Sequence, residues 1–262
     1  MQLKTLLRTL STALRQLAGT WLFYIRYYLV ARRFKWGLPN FKGCETVALY
    51  APGESVLTSI PEASPMTFDK TVAVNTFIFH DLKTDVCFLE LSPIYRNSEV
   101  LIERIKALRP SKVYVPSHSL RYGREHTKLL ISIAEKVRLY NICPLSVRSH
   151  DRLDVAFRSF FLLKRLRLMP RDAMLSPGAT ISRILALLYE QSVSRVTLFG
   201  VDGSTRYFFQ GSDYQSFSFD TGQDGLLHIT ADRNKKAITV REFVSFLNAK
   251  RDGEANWITS RG

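Results

Sequence analysis

The chain has 262 residues, 46% of them hydrophobic, which suits one α/β domain with a buried core and an appended segment. Its formal net charge of +14 favours polyanionic partners, but no zinc-finger, RNA-recognition or basic-zipper pattern accompanies the charge, so we expect no nucleic-acid partner. The three cysteines lack CxxC spacing, which argues against a disulfide framework and a zinc site and fits a reducing cytoplasm.

Residues 1–43 differ in composition from the rest of the chain. They contain eight lysine or arginine residues and no acidic residue, and leucines at positions 3, 7, 10, 14 and 17 follow helical spacing. Arg26 interrupts the most apolar part, so a bilayer span is not expected, and no secretory cleavage pattern follows. The pattern predicts a basic amphipathic helix in the membrane interface, and a helix packed on the domain is the alternative.

From Glu45 onward, short β-like runs alternate with helical patterns. The predicted strands are 47–50, 71–75, 86–89, 113–115, 137–140 and 195–199, and the predicted helices include 97–110, 124–136, 178–191 and 239–251. This alternation predicts an α/β, Rossmann-like, mostly parallel sheet flanked by helices over residues 44–262. Two stretches near 144–172 and 203–237 lack the pattern, and we expect them to be lids over the strand ends.

Polar residues that follow the predicted strands are the site candidates, because ligands of such sheets bind beyond the carboxyl ends of the strands. They are Gly53, Ser55, Asn75, Glu90, Ser176, Gly178 and Asp202. Four of them also have a structural explanation: a tight turn for Gly53, a helix cap for Asn75 and Ser176, and a turn for Asp202. Together, small polar groups and helix N-termini suit a nucleotide.

Four stretches, in this order, resemble the bacterial lipooligosaccharide sialyltransferases of glycosyltransferase family 42 and their relatives. They are 47-VALYAPGESVLTSI-60, 72-VAVNTFIFHD-81, 175-LSPGATISRILALLYEQSVSRVTLFGVDG-203 and 217-FSFDTGQ-223, with a weaker fifth at 231-ADRNKKAITVREFV-244. The resemblance covers roughly residues 45–248. It implies a GT-A-like domain that uses a CMP-activated nonulosonic acid without a metal, and no Asp-x-Asp motif follows a predicted strand.

The resemblance also implies roles for the site candidates. Gly53 and Ser55 would border the donor phosphate and ribose, and Asn75 would bind the donor. Ser176 and Gly178 would lie at the cytidine-side helix start, and Asp202 in the nucleotide pocket. No cofactor is expected beyond the CMP-sugar co-substrate.

The chain departs from the family at three positions: Glu90 replaces an Asn, Phe217 a Tyr, and Ala231 the general-base His. His228, the nearest histidine, is the expected base, because an imidazole can accept a proton near neutral pH; an ordinary loop residue is the alternative. Other candidates are Glu90 or Asp202 as the base, Tyr207 or Tyr214 as a phosphate-side phenol, and His118 as a lesser histidine candidate.

We therefore expect a metal-independent glycosyltransferase that moves a sialic acid-like or Kdo-like sugar from a CMP-sugar to a glycolipid or polysaccharide of the cell surface, as in lipopolysaccharide or capsule synthesis. The enzyme would be cytoplasmic and peripheral on the inner face of the membrane through residues 1–43, and a homo-oligomer is compatible with the sequence. Two alternatives stay open. One is an Mg²⁺-dependent pterin-type pyrophosphokinase-like enzyme that uses Glu90 and Asp202 as acidic ligands, and the other is a non-catalytic nucleotide- or glycan-binding domain.

Overall fold

The architecture is taken from a computed structural model of the chain. It describes residues 3–63, 66–90, 95–96, 98–107, 113–121, 124–144, 150–177, 179–201, 218–219, 238–251 and 257–261. Of the predicted site residues, Gly178, Asp202, Tyr207, Tyr214 and His228 lie outside these ranges.

Eleven strands form among the described residues, and nine of them share one sheet. They are β1 (Lys35–Trp36), β2 (Thr46–Tyr50), β3 (Lys70–Val74), β4 (Val86–Phe88), β5 (Tyr95–Arg96), β6 (Val113–Pro116), β7 (Val137–Pro144), β8 (Ala173–Ser176), β9 (Arg195–Phe199), β10 (Ser218–Phe219) and β11 (Ile258–Arg261). The order is β1-β7-β6-β4-β3-β2-β9-β11, and β8 pairs with the second half of β7. Every pairing in this sheet is parallel, which confirms the predicted Rossmann-like, mostly parallel architecture.

The described residues also form seven α-helices, of which α1 precedes the first strand, and two short 3₁₀ helices. The α-helices are α1 (Leu3–Ala31), α2 (Val56–Ala63), α3 (Ser98–Ala107), α4 (Arg124–Ser132), α5 (His150–Arg165), α6 (Thr180–Glu190) and α7 (Val240–Lys250). The 3₁₀ helices, Asn75–Phe79 and Ser117–Arg121, follow β3 and β6 directly. They therefore lie at the carboxyl ends of these two strands.

Both faces of the sheet are buried, because side chains alternate along each strand. In β2, Val47 and Leu49 pack in one core cluster with residues of α5, α6 and α7. Ala48 and Tyr50 pack in the other cluster, with residues of α2, α3 and α4. Because helices cover both faces, polar side chains from several strands can meet only at the ends of the strands.

The segment expected as an irregular lid near 144–172 instead contains the regular helix α5. Leu153, Phe157, Phe160 and Leu163 recur at helical spacing and are all buried in the core cluster of that face. The basic residues between them concealed this period in the sequence. The second expected lid, 203–237, lies outside the described residues except for β10, which pairs antiparallel with β5.

Helix α1 packs on the domain along one narrow face. Ala13, Gln16 and Thr20 are buried there, and the Gln16 amide donates to the carbonyl of Ala156 in α5 at 3.0 Å. The leucine-rich face predicted from the sequence is a different one, since Leu7, Leu10 and Leu14 remain exposed. None of the helices in the described ranges is long and apolar enough to cross a membrane.

Candidate functional site

The carboxyl ends of the central parallel strands carry a connected set of polar residues. Ala51–Ser55 follows β2, Asn75 follows β3, Glu90 comes two residues after β4, and Ser117–Arg121 follows β6. Ser176 ends β8, and α6 begins four residues later. Because all these strands run parallel, the residues occupy a single edge of the sheet, here called the carboxyl edge.

The turn after β2 is fixed to the end of β9 by its backbone. Ala51 donates its N–H to Phe199 at 2.9 Å, and Gly53 donates to the carbonyl of Gly200 at 3.1 Å. Gly200 has φ +68, and a Cβ there would lie 2.3 Å from the carbonyl oxygen of Ala51, so only glycine fits. The amide of Gly53 is therefore engaged within the fold, and any phosphate contact of this turn has to come from the residues after it, such as Ser55.

Asn75 joins the ends of β3 and β4. It has φ 52, a left-handed conformation that Asn tolerates better than most residues. Its Oδ1 accepts the backbone N–H of Glu90 at 3.0 Å. This bond uses only the carbonyl oxygen of the amide and does not involve the Nδ2 group of Asn75.

Glu90 is the centre of the polar cluster. One carboxylate oxygen lies 2.8 Å from His118 Nε2, and the other accepts from Arg183 Nη2 at 2.8 Å and from the Thr180 hydroxyl at 3.0 Å. Burial alone would raise the pKa of this carboxyl, but the Arg183 charge, together with His118 and Thr180, holds the pKa well below its usual range. Glu90 is therefore an anion anchored from three sides.

Arg183 connects Glu90 to Ser176. It projects from α6 and is 4% exposed, and its Nε donates to the Ser176 hydroxyl at 3.0 Å. Burial would lower its pKa, but the Glu90 charge more than offsets that and raises it. Ser176 had the alternative explanation of a helix N-cap, and this is wrong, because the N-cap of α6 is Ala179 and makes no side-chain cap bond.

Tyr140 lies beside this ion pair on β7. Burial raises the pKa of its phenol to about 12, although the Arg183 charge acts in the opposite direction. The phenol is therefore neutral at physiological pH. Residues from β7, α6 and the ends of β4 and β6 thus enclose the Glu90–Arg183 pair.

His118 lies in the 3₁₀ helix after β6 and is 4% exposed. Because a carboxylate only accepts hydrogen bonds, the 2.8 Å contact with Glu90 makes Nε2 the protonated nitrogen. The neighbouring Ser117 donates to Asn141 Oδ1 at 3.2 Å, which ties this turn to β7. A histidine oriented by a half-buried carboxylate is a familiar arrangement of a proton-transfer group.

The structure brings together three of the predicted site residues, Asn75, Glu90 and Ser176, through direct contacts or through one arginine. Gly53 and Ser55 lie at the same edge, at the end of β2. The sequence reasoning missed Arg183 and Thr180. A signal existed for Arg183, because it is the single charge within the apolar run ISRILALL of a buried helix and therefore required an anionic partner.

Two residues of the segment that resembles the family's FDT motif are described by the structure. Its residues Ser218 and Phe219 form β10, which pairs with Arg96 and Tyr95 of β5. β5 begins five residues after Glu90. The pairing joins Ser218 and Phe219 of this motif to β5.

Metal ligation has no obvious centre in the part of the chain that the structure describes, where no group of three or more His, Cys, Asp and Glu side chains could hold an ion. Glu90 is the acidic residue at the carboxyl edge among the described site candidates. Both of its oxygens already have protein partners, so it is poorly arranged to bind Mg²⁺.

The fold and this cluster define a class: an α/β protein with a parallel, Rossmann-like sheet and a polar, partly charged carboxyl edge. A scan against protein-family models finds no match for the chain, and a search of curated proteins finds none either.

Proposed function

We propose that the protein is a GT-A-like glycosyltransferase that transfers a nonulosonic sugar, of the sialic acid or Kdo type, from a CMP-sugar to a glycolipid or polysaccharide of the cell surface. The observation behind the proposal is the hydrogen-bonded chain Asn75–Glu90–Arg183–Ser176 at the carboxyl edge. It links Asn75 and Ser176, to which the sequence resemblance assigns roles around the donor, through Glu90 and Arg183. Ligands of parallel sheets bind at this edge.

The donor would lie across the strand ends. Ser55 would border the phosphate and ribose, the Nδ2 group of Asn75 would donate to the donor, and Ser176 with Gly178 would lie at the cytidine side. Asp202, outside the described residues, would complete the nucleotide pocket. Arg183 would be a positioning residue that does not contact the donor, because it donates to the hydroxyl of Ser176 and to the carboxylate of Glu90 at the same time.

The reaction would be a direct displacement. An acceptor hydroxyl oxygen attacks the anomeric carbon, the bond from that carbon to the phosphate oxygen breaks, and CMP leaves with the bonding electrons. A base takes the acceptor proton. CMP is a good leaving group, so positioning and water exclusion carry most of the catalysis, and no metal is assigned to the step.

The identity of the base is also part of the proposal. Glu90 is a poor choice, because a carboxylate whose pKa is held low has little tendency to accept a proton at neutral pH. His228, with Asp202 as an alternative, and Tyr207 as the phosphate-side phenol, lie outside the described residues. Within them, His118 is the group best suited to proton transfer, because Glu90 orients its ring and would stabilise the imidazolium.

The acceptor and the location follow from residues 1–43. We place the enzyme in the cytoplasm, peripheral on the inner face of the membrane, where a lipid-linked acceptor is accessible. Helix α1 contacts both α5 and the 3₁₀ helix Ser117–Arg121 at the carboxyl edge. A membrane-bound α1 would therefore hold the proposed donor site close to the lipid surface.

The test is a thermal-shift panel of CMP, UDP, GDP and ATP, each with and without Mg²⁺. A ligand that binds only the folded state at 100 times its Kd adds about 2.7 kcal/mol of stability, so a specific site is easily detected. We expect a shift with CMP that does not require Mg²⁺. An Mg²⁺-dependent ATP shift would instead support the pyrophosphokinase-like alternative, and CMP binding without transfer from any CMP-sugar would support a non-catalytic domain.

The variant Asn75→Asp tests whether the Nδ2 group of Asn75 binds the donor. Aspartate also tolerates the left-handed conformation and can accept the Glu90 N–H, but it replaces the Nδ2 donor with a negative charge next to the proposed phosphate. We expect a folded protein with no CMP shift. The control is Asn40→Asp at an exposed position whose Oδ1 accepts the N–H of Lys42, where the CMP shift should persist. An unchanged CMP shift in Asn75→Asp would remove Asn75 from the donor site.

A further inference from the structure

The exposed surface of α1 carries an apolar stripe that no described part of the protein covers. Its members are large, at least two-fifths exposed and on one side of the helix: Leu7, Leu10, Leu14, Trp21, Leu22 and Ile25. A helix turns by about 100° per residue, which puts these side chains on the side away from the buried Ala13, Gln16 and Thr20. One face of α1 therefore packs against the domain, and the other face is apolar and exposed to the solvent.

Three arginines run along one flank of this stripe. Arg8, Arg15 and Arg26 are exposed, and their spacing brings them onto nearly the same line of the helix, next to Leu22 and away from Trp21. No acidic residue occurs in residues 1–43. The stripe thus has a positively charged border along the side that lies away from Trp21.

A second exposed apolar group adjoins the stripe on the side of Trp21. Leu162, Leu166 and Leu168 are 49%, 56% and 45% exposed, in the last turn of α5 and the residues after it. The Trp21 indole donates to the carbonyl of Leu168 at 3.0 Å, so the two groups meet. The apolar surface is therefore continuous from α1 to the connection between α5 and β8.

This second element has its own cations. Lys164, Arg165, Arg167 and Arg171 line a surface cleft of about 590 Å³ together with Phe161, Met169 and Glu190. Glu190 pairs with Lys164 at 2.7 Å, while Arg165, Arg167 and Arg171 are exposed. Residues 160–171 contain no acid. An apolar strip with arginines on both flanks matches a bilayer surface with anionic headgroups, in which leucines enter the acyl boundary and arginines stay at phosphate depth.

We propose that the α1 stripe and residues 162–171 together form one docking face for an anionic phospholipid surface, with the cleft of Arg165, Arg167 and Arg171 receiving lipid phosphate groups. The new element is the α5–β8 connection, which joins α1 in the contact. The inference rests on the membrane location proposed for residues 1–43 and extends it, but it does not depend on glycosyl transfer.

The test is co-sedimentation of the full chain with vesicles of phosphatidylcholine, with or without phosphatidylglycerol. Wild-type protein binds the phosphatidylglycerol vesicles and releases them as salt rises, because salt screens exposed charges. Each arginine near an anionic surface contributes roughly fivefold in partitioning, so Arg165→Gln/Arg171→Gln binds more than about tenfold more weakly. Leu166→Glu also weakens binding.

Matched controls separate this face from general surface effects. Leu57 is 52% exposed on α2, on the opposite face of the sheet, so Leu57→Glu should bind like wild type. Lys83→Gln/Lys128→Gln removes two exposed charges outside the docking face and should also leave binding unchanged. Thermal midpoints confirm that each variant is folded.

Four results would overturn the inference. They are no binding to phosphatidylglycerol vesicles at low salt, wild-type binding by the Leu166 and Arg165/Arg171 variants, equal weakening in the controls, and arginine-dependent binding to duplex DNA in place of vesicles. The CMP shift is measured without lipid, so loss of vesicle binding with an intact CMP shift refutes the docking face and the membrane location of residues 1–43 but not the donor site.

Discussion

Replacement of Arg183 by methionine tests whether the Glu90–Arg183 pair holds the carboxyl edge together. Arg183 is 4% exposed, and its Nη2 lies 2.8 Å from Glu90. Removal of one partner from a buried ion pair costs about 3–5 kcal/mol, because the other charge stays buried without compensation. The Glu90 side chain is 24% exposed, so water can reach it in part, and we expect the lower end, about 3 kcal/mol.

A double-mutant cycle isolates the interaction itself. Glu90→Gln keeps an acceptor for Thr180 but leaves Arg183 without a charged partner, and the double variant Glu90→Gln/Arg183→Met contains neither charge. We expect the loss in the double variant to be smaller than the sum of the single losses by about 2 kcal/mol. Urea unfolding at neutral pH measures the three values, and Glu103→Gln, in an exposed pair with Lys106, serves as a control with almost no change.

The pH dependence supplies a second measure of the same pair. The pKa of Glu90 in the folded protein is below its ordinary value of about 4.5, so the unfolded chain binds this proton more readily. The stabilisation is therefore complete above about pH 4.5 and is lost as the pH falls towards the folded pKa. The stability difference between wild type and Glu90→Gln should shrink in acid. Additive single losses, or a difference that does not change with pH, would refute the assigned coupling.

Two further predictions concern the frame around the site. Gly200→Ala should destabilise the protein by more than about 2 kcal/mol in urea unfolding, because it adds a backbone clash to left-handed strain. Gly43→Ala should cost only about 1 kcal/mol, because Gly43 has a positive φ but nothing lies within 4 Å of the new Cβ. Equal losses in the two variants would contradict the clash at Gly200. Cys87 and Cys143 are buried, and burial raises both pKa values to about 12, so a thiol reagent should modify only Cys44 in the native protein and all three cysteines in urea. Rapid native reaction of a second thiol would count against the core packing.

The central strands were predictable from sequence because each is a short apolar run between turn residues. The predicted strand at 195–199 matches β9 residue for residue, and the one at 47–50 falls within β2. The strands β1, β8 and β11 were not predicted. They have two to four residues each, and their extended form depends on pairing with partners far away in sequence, which local propensity does not encode.

The sequence predicted which strand ends contribute residues to the site, because the carboxyl ends of parallel strands lie at one edge of the sheet. It did not predict the contacts between those residues. Glu90 is joined to residues 28, 90 and 93 positions away, so its low pKa arises from tertiary contacts alone. From sequence, Glu90 remained open as a general base, and only the positions of its three partners argue against that role.

The energetics of the Glu90–Arg183 pair give a reason to connect it with ligand binding. A buried ion pair adds little net stability compared with well-packed apolar residues, because desolvation offsets most of the attraction. Stability alone therefore does not explain two charges at this position, and we infer that Arg183 orients the Ser176 hydroxyl towards a ligand. The double variant from the cycle separates these explanations: if it remains folded but gives no CMP shift, the pair orients the donor site, and if it remains folded with an unchanged CMP shift, the pair has no part in nucleotide binding.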